Sequence, residues 1–196
     1  MKPNSQLTIC GLDELCHHAA SGVTHVLSIL DPGWPEPEDF WTWDRHHRTT
    51  LHFNDVILPG PDQVLPRRDH VEAILGFGRS LAADAAGARD DGHLLVHCHM
   101  GISRSTAAVA MLLAQAHGDA EEDFIFTRLL AVREKAWPNS LMIGFADELL
   151  GRGGRLTAAL GRLYARQLER RPEIEEFMRT HGRAGEIEMA RAARAR

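Results

Sequence analysis

The 196-residue chain has no run of about 18 or more apolar residues, so nothing in it is long enough to span a bilayer as a helix. Its opening residues, MKPNSQLTIC, lack the apolar stretch and small-residue cleavage site of a secretory leader. A cytoplasmic protein without a membrane partner is therefore expected. Cysteine is scarce: three residues, an odd number without paired spacing, which argues against a disulfide framework. Lysine is scarcer still, for among 22 basic residues only Lys2 and Lys135 are not arginine. Tyrosine occurs once, as Tyr164, and no internal repeat is visible.

What remains is ordinary globular composition, 44% apolar and 25% charged, in a chain long enough for one good core. Charge is unevenly spread. Residues 151–196 hold eleven Arg against six Asp or Glu, whereas the whole chain carries −5. Such a surplus can serve nucleic acid, but stretches such as RQLERRPEIEEFMR interleave the signs as a solvated helix does. No aromatic–basic platform accompanies them, so a nucleic-acid partner is not expected.

Three short β-leaning runs are read as strands: 6–10, the β-branched 23–30 and the alternating 49–56. A fourth, HLLVH (93–97), is the most strand-like in the chain. Helices are read at 11–22, 67–86, 105–117, 120–134 and 140–150, with proline-rich loops at 31–48 and 58–66. This alternation predicts an α/β fold with a mostly parallel sheet of about four to five strands flanked by helices. Residues 1–150 would form the domain. Residues 151–196 would be an Arg-rich helical extension broken at Gly153-Gly154, Pro172 and Gly182.

The chemistry concentrates where HLLVH ends in Cys98 and a helix begins at Ser105. Ligands of α/β sheets bind beyond the carboxyl ends of strands, and a helix start there offers free N–H groups and partial positive charge. Gly101 lets the backbone curl, and Arg104 presents a planar fork suited to two phosphate oxygens. The same positive field favours the thiolate of Cys98. The segment reads as an oxyanion cradle with a nucleophile at its floor. Zinc is not expected from His93, His97, Cys98 and His99, because neighbouring strand residues face opposite ways and no second Cys/His pair is spaced for ligation.

HCHMGISRS (97–105) matches the signature of the cysteine-dependent protein tyrosine phosphatases: His-Cys, two residues, Gly, two residues, Arg, then Ser or Thr. GVTHVLSIL and WPNSLMIGFADELL also resemble the dual-specificity branch, and the resemblance covers about residues 5–150. It implies a phosphomonoester hydrolase with Cys98 as nucleophile and no cofactor or metal. Residues His99, Met100, Gly101, Ile102, Ser103 and Arg104 would bind phosphate, Ser105 would donate to the Cys98 sulfur, and His97 would brace the loop through neighbouring backbone. The general acid would be Asp55, which lies 43 positions before Cys98, with Asp62 in the LPGPDQVLP insertion as its rival. Glu36 falls too early in the chain. Asn139 would cap the helix after Pro138 or support the phosphate loop.

The substrate implied is a phosphorylated protein or a small phosphomonoester. Phosphoinositide and RNA 5′-phosphatases use the same scaffold. Lipid-directed relatives carry lysines where this chain has His99, Met100, Ile102 and Ser103, although His99 could add some positive charge. RNA-directed relatives have Asn-Arg-Thr where it has Ser103-Arg104-Ser105. Outside catalysis, the alternatives are a phosphate-binding module and a thiol redox sensor.

Overall fold

The computed structural model describes residues 6–87 and 92–195. The leader reading rests partly on residues 1–5, which lie outside them. Four strands form one sheet: β1 (Gln6–Cys10), β2 (His25–Leu30), β3 (His47–His52) and β4 (His93–His97). Their spatial order is β1-β4-β2-β3 and every pairing is parallel. This is the α/β architecture expected, at four strands.

Alternation along the strands gives each face its own core. Leu27, Ile29, Leu94 and Val96 meet the helices, whereas Val26 and Leu95 join Cys10, Leu15 and Phe40 on the opposite face. The helices are α1 (Arg68–Gly87), α2 (Arg104–Ala116), α3 (Glu122–Val132), α4 (Ser140–Leu149), α5 (Arg155–Arg170), α6 (Ile174–Thr180) and α7 (Ala184–Arg194). The α2 helix is the central one, buried from Arg104 to Ala114, and its alanines let neighbours approach on all sides.

Three elements differ from the sequence reading, one of them the 3₁₀ turn Glu38–Thr42 within the segment read as the loop 31–48. The segment read as a helix over 11–22 is a short 3₁₀ turn, Leu12–His18, with Leu15 its buried residue. Leu12 and Leu15 are three apart, the repeat of that tighter helix, and the turn has too little apolar surface for more. The third strand runs 47–52, not 49–56. Its six residues pair with the six of β2, and the ladder closes where Phe53 N–H donates to Leu30 O (2.9 Å). Residues 53–56 are thereby released as loop.

The apolar core continues through residue 150 without a break, taking in Leu156, Leu160, Leu163, Tyr164 and Ile187. Tyr164 stacks on Trp137, rings 4.3 Å apart. Gly161 lets α7 approach closely, since a Cβ there would come within 3.2 Å of Met189 O.

Candidate active site

Because all strands are parallel, Cys10, Leu30, His52 and His97 end on one edge of the sheet. The loops that leave them bring Gly11, Asp31, Asp55 and Cys98 together. From His99 to Ser103 five consecutive carbonyls are held by donors outside the loop. His99 O accepts from Leu12 N (2.9 Å), and Met100 O and Gly101 O accept from Arg133 (3.2 and 3.0 Å). Ile102 O accepts from Trp137 N (2.8 Å), and Ser103 O from Ala107 N (2.9 Å). A trans peptide points its N–H away from its C=O, and no cis peptide occurs among the described residues. The amides of Met100 to Arg104 are therefore turned to the inner side of the loop.

Gly101 makes the turn possible. Its φ is +66°, and a Cβ there would lie 2.4 Å from the carbonyl carbon of Cys10. Cys98 is buried, its Sγ 3.2 Å from Ser105 Oγ. Arg104 Nη1 donates to Asp31 Oδ1 (2.6 Å) and Phe53 O (2.5 Å), which fixes the plane of the guanidinium. Its Nε is buried without a hydrogen-bond partner among the described residues, and the side chain lines the same cleft as Cys98. A buried donor left unpaired is costly, and an anion seated beside Cys98 would satisfy it.

His97 makes a contact beyond the neighbouring-backbone one expected, which the Cys98 backbone supplies. Its Nε2 lies 2.6 Å from Ser28 Oγ, the residue opposite it on β2, so it ties strands together. Burial pushes its pKa down to about 4, leaving the ring neutral at pH 7. His99, which could add positive charge by its position, lies 3.8 Å from Asp31 Oδ1. Burial and the nearby Arg104 hold its pKa below the usual value against the pull of Asp31, and its Nε2 accepts the Asp31 N–H (3.2 Å).

Asp55 reaches the cleft; Asp62 does not. Asp62 sits exposed on the loop with φ +55°. Glu36 pairs with Arg48 (3.0 Å) elsewhere. Asp55 Oδ1 accepts three hydrogen bonds, from Ser103 Oγ (2.7 Å), Asn139 Nδ2 (3.0 Å) and Arg183 Nη1 (3.2 Å). Burial alone would raise its pKa, but Arg183 and Arg104, with the Asn139 and Ser103 bonds, hold it below the ordinary carboxylate value. Asn139 also accepts from Met142 N (3.2 Å), so it caps α4 and braces Asp55, rather than the phosphate loop directly.

The cleft has a volume of about 330 Å³, ample for a phosphoryl group and part of its carrier. A scan of family models finds no match for the chain, and a search of curated proteins by sequence finds none either. Solved structures do match. Human DUSP28 is similar over 74% of this chain and 88% of its own, at 17% identity and TM-score 0.55. DUSP15 is similar over 87% and 95%, at 21% identity and TM-score 0.53. Tk-PTP, solved in its active form, is similar over 78% and 99%, at 16% identity and TM-score 0.53. The fold is that of the dual-specificity and tyrosine phosphatases.

On this phosphatase fold, several lining residues have no signature in the sequence. Asp31 follows β2 at the same sheet edge as Cys98, so the rule that located Cys98 could have located it. Phe177 and Met178 of α6, with His181 and Arg183 between α6 and α7, come about 80 residues after the loop, and no local pattern marks them.

Proposed function

We propose that the chain is a phosphomonoester hydrolase of the dual-specificity phosphatase family, acting on phosphorylated protein through a cysteinyl-phosphate intermediate. The observation that carries this reading is the unpartnered Nε of buried Arg104 beside the Cys98 thiol, inside a loop whose amides face inward. Arg104 and those amides would hold the three equatorial oxygens, whose charge must be met in a loose in-line transition state. Cys98 attacks as thiolate, the S–P bond forms, and the ester P–O bond breaks. Asp55 gives its proton to the departing oxygen. In the second step Asp55 takes a proton from water as that water attacks phosphorus. The S–P bond then breaks, with Ser105 Oγ stabilising the released thiolate.

Hydrolysis of p-nitrophenyl phosphate between pH 5 and 8 with EDTA present, by wild type and Cys98→Ser, tests the reading. EDTA-resistant turnover that disappears in Cys98→Ser is expected. Tight binding of vanadate or phosphate with no turnover would sink the enzyme and leave a phosphate-binding module.

A further inference from the structure

Arg183-Ala184-Gly185-Glu186 opens α7 and resembles no motif. Yet both of its charged side chains are buried, Arg183 at 4% exposure and Glu186 at 0%. Glu186 is gripped by three donors from two other segments: the Trp137 indole N–H (2.6 Å) and the Ser140 N–H (2.9 Å) of one stretch, and the Tyr164 hydroxyl (3.1 Å). It in turn holds Arg183 Nη2 at 2.7 Å. The other arm of the guanidinium, Nη1, reaches Ser103 Oγ (2.7 Å) and Asp55 Oδ1 (3.2 Å). A pair serving only to dock the tail would have no need to end on the cleft.

We infer that Arg183 is a positioning residue for Asp55: clamped by Glu186, it draws Oδ1 into the protein and leaves Oδ2 to exchange the proton with the phosphoester. The inference rests on the reading of Asp55 as the acid and base of the proposed reaction. Three donors converge on Oδ1, and Oδ2 takes no hydrogen bond among the described residues. The two oxygens thus have separate tasks, one anchored and one free. Asn139 and Ser103 would hold the carboxyl loosely by themselves; the charged arm from α7 completes the set.

Arg183 also bears on when Asp55 holds a proton. The titratable and charged groups around the carboxyl are Arg183 and Glu186 from α7, Arg104 at the start of α2, and Cys98 and His99 in the loop. Asp31 after β2, Tyr164 on α5 and His181 after α6 complete the set. Arg183 is the strongest of the opposite charges acting on Asp55. Without it the carboxyl keeps its proton to higher pH, and the alkaline limb of activity moves up.

The test compares wild type, Arg183→Gln, Arg183→Lys, Asp55→Asn and the Asp55→Asn/Arg183→Gln double variant on phenyl phosphate and p-nitrophenyl phosphate. Phenoxide is the poorer leaving group and depends more on the acid. For Arg183→Gln, kcat on phenyl phosphate should fall roughly 10- to 100-fold, toward what a positioned acid contributes, and only a few-fold on p-nitrophenyl phosphate. The alkaline limb should shift upward, Arg183→Lys should recover part of the loss, and Arg183→Gln should cost nothing further once Asp55 is Asn. Equal losses on both substrates with an unmoved limb, or additive losses in the double variant, overturn the inference. Where Arg183→Gln does not fold, Arg183→Met, which keeps the apolar stem and drops the charge, is read by ¹³C NMR titration of Asp55, and a midpoint identical to wild type overturns it equally. Turnover surviving Cys98→Ser overturns the underlying reading, a result distinct from these.

Discussion

At the scale of single residues, the site depends on Gly101 for two separate reasons. Its left-handed backbone disfavours any side chain, and a Cβ would lie within 2.6 Å of three backbone atoms of Cys10 and Gly11. Neither β1 nor the loop can yield without moving the inward-facing amides. Gly101→Ala should therefore lose roughly 100-fold or more in kcat/KM, the order expected for about 1 Å of misplacement. It should also lower stability by more than about 1 kcal/mol. Wild-type turnover and melting temperature in that variant would show that the loop is less constrained than its contacts require.

Among elements, β4 carries both the anchor of the proposed nucleophile and a buried histidine. His97 faces away from the helices, toward Phe40, and its bond to Ser28 joins β4 to β2 just before the loop begins. Its folded-state pKa of about 4 lies below the ordinary 6.5, so between those values the unfolded chain binds a proton that the folded chain refuses. Stability is full above about pH 6.5 and is lost as pH falls toward 4, by at most about 3 kcal/mol from this ring. Urea unfolding at pH 7 and pH 4.5 should show the loss in wild type and a smaller one in His97→Asn. The same acid sensitivity in both would assign it to other groups.

For the whole molecule, the tail and the sheet edge are joined through one buried carboxylate. Glu186 meets Trp137, the start of α4, Tyr164 and Arg183, so its contacts tie α7 to α4 and α5. Glu186→Ala would take from buried Arg183 one of its two carboxylate partners and leave the Trp137 indole and Ser140 amide unpaired. The expected cost is about 3–5 kcal/mol, or about 10 °C in melting temperature for a chain of this size. A melting temperature within about 2 °C of wild type would argue that water replaces the carboxylate freely. The arginine surplus of residues 151–196 is largely spent inside the molecule: Arg155, Arg162, Arg179, Arg183, Arg191 and Arg194 all have carboxylate partners.

From its sequence alone, the chain can be read as a parallel α/β fold with its chemistry in residues 97–105, because strand alternation, a turn glycine and a helix start are local properties. Asp55 could be preferred over Asp62 by its place just after a strand, and the tertiary structure brings it to the cleft while leaving Asp62 in solvent. Only the fold decided that His97 bonds across to Ser28, that His99 meets the Asp31 N–H, and that Asp31 steadies Arg104. Arg183 and Glu186 were beyond reach in the sequence. Their partners lie as much as 128 positions away, and a charged pair three residues apart on a helix looks the same whether it faces water or closes a site.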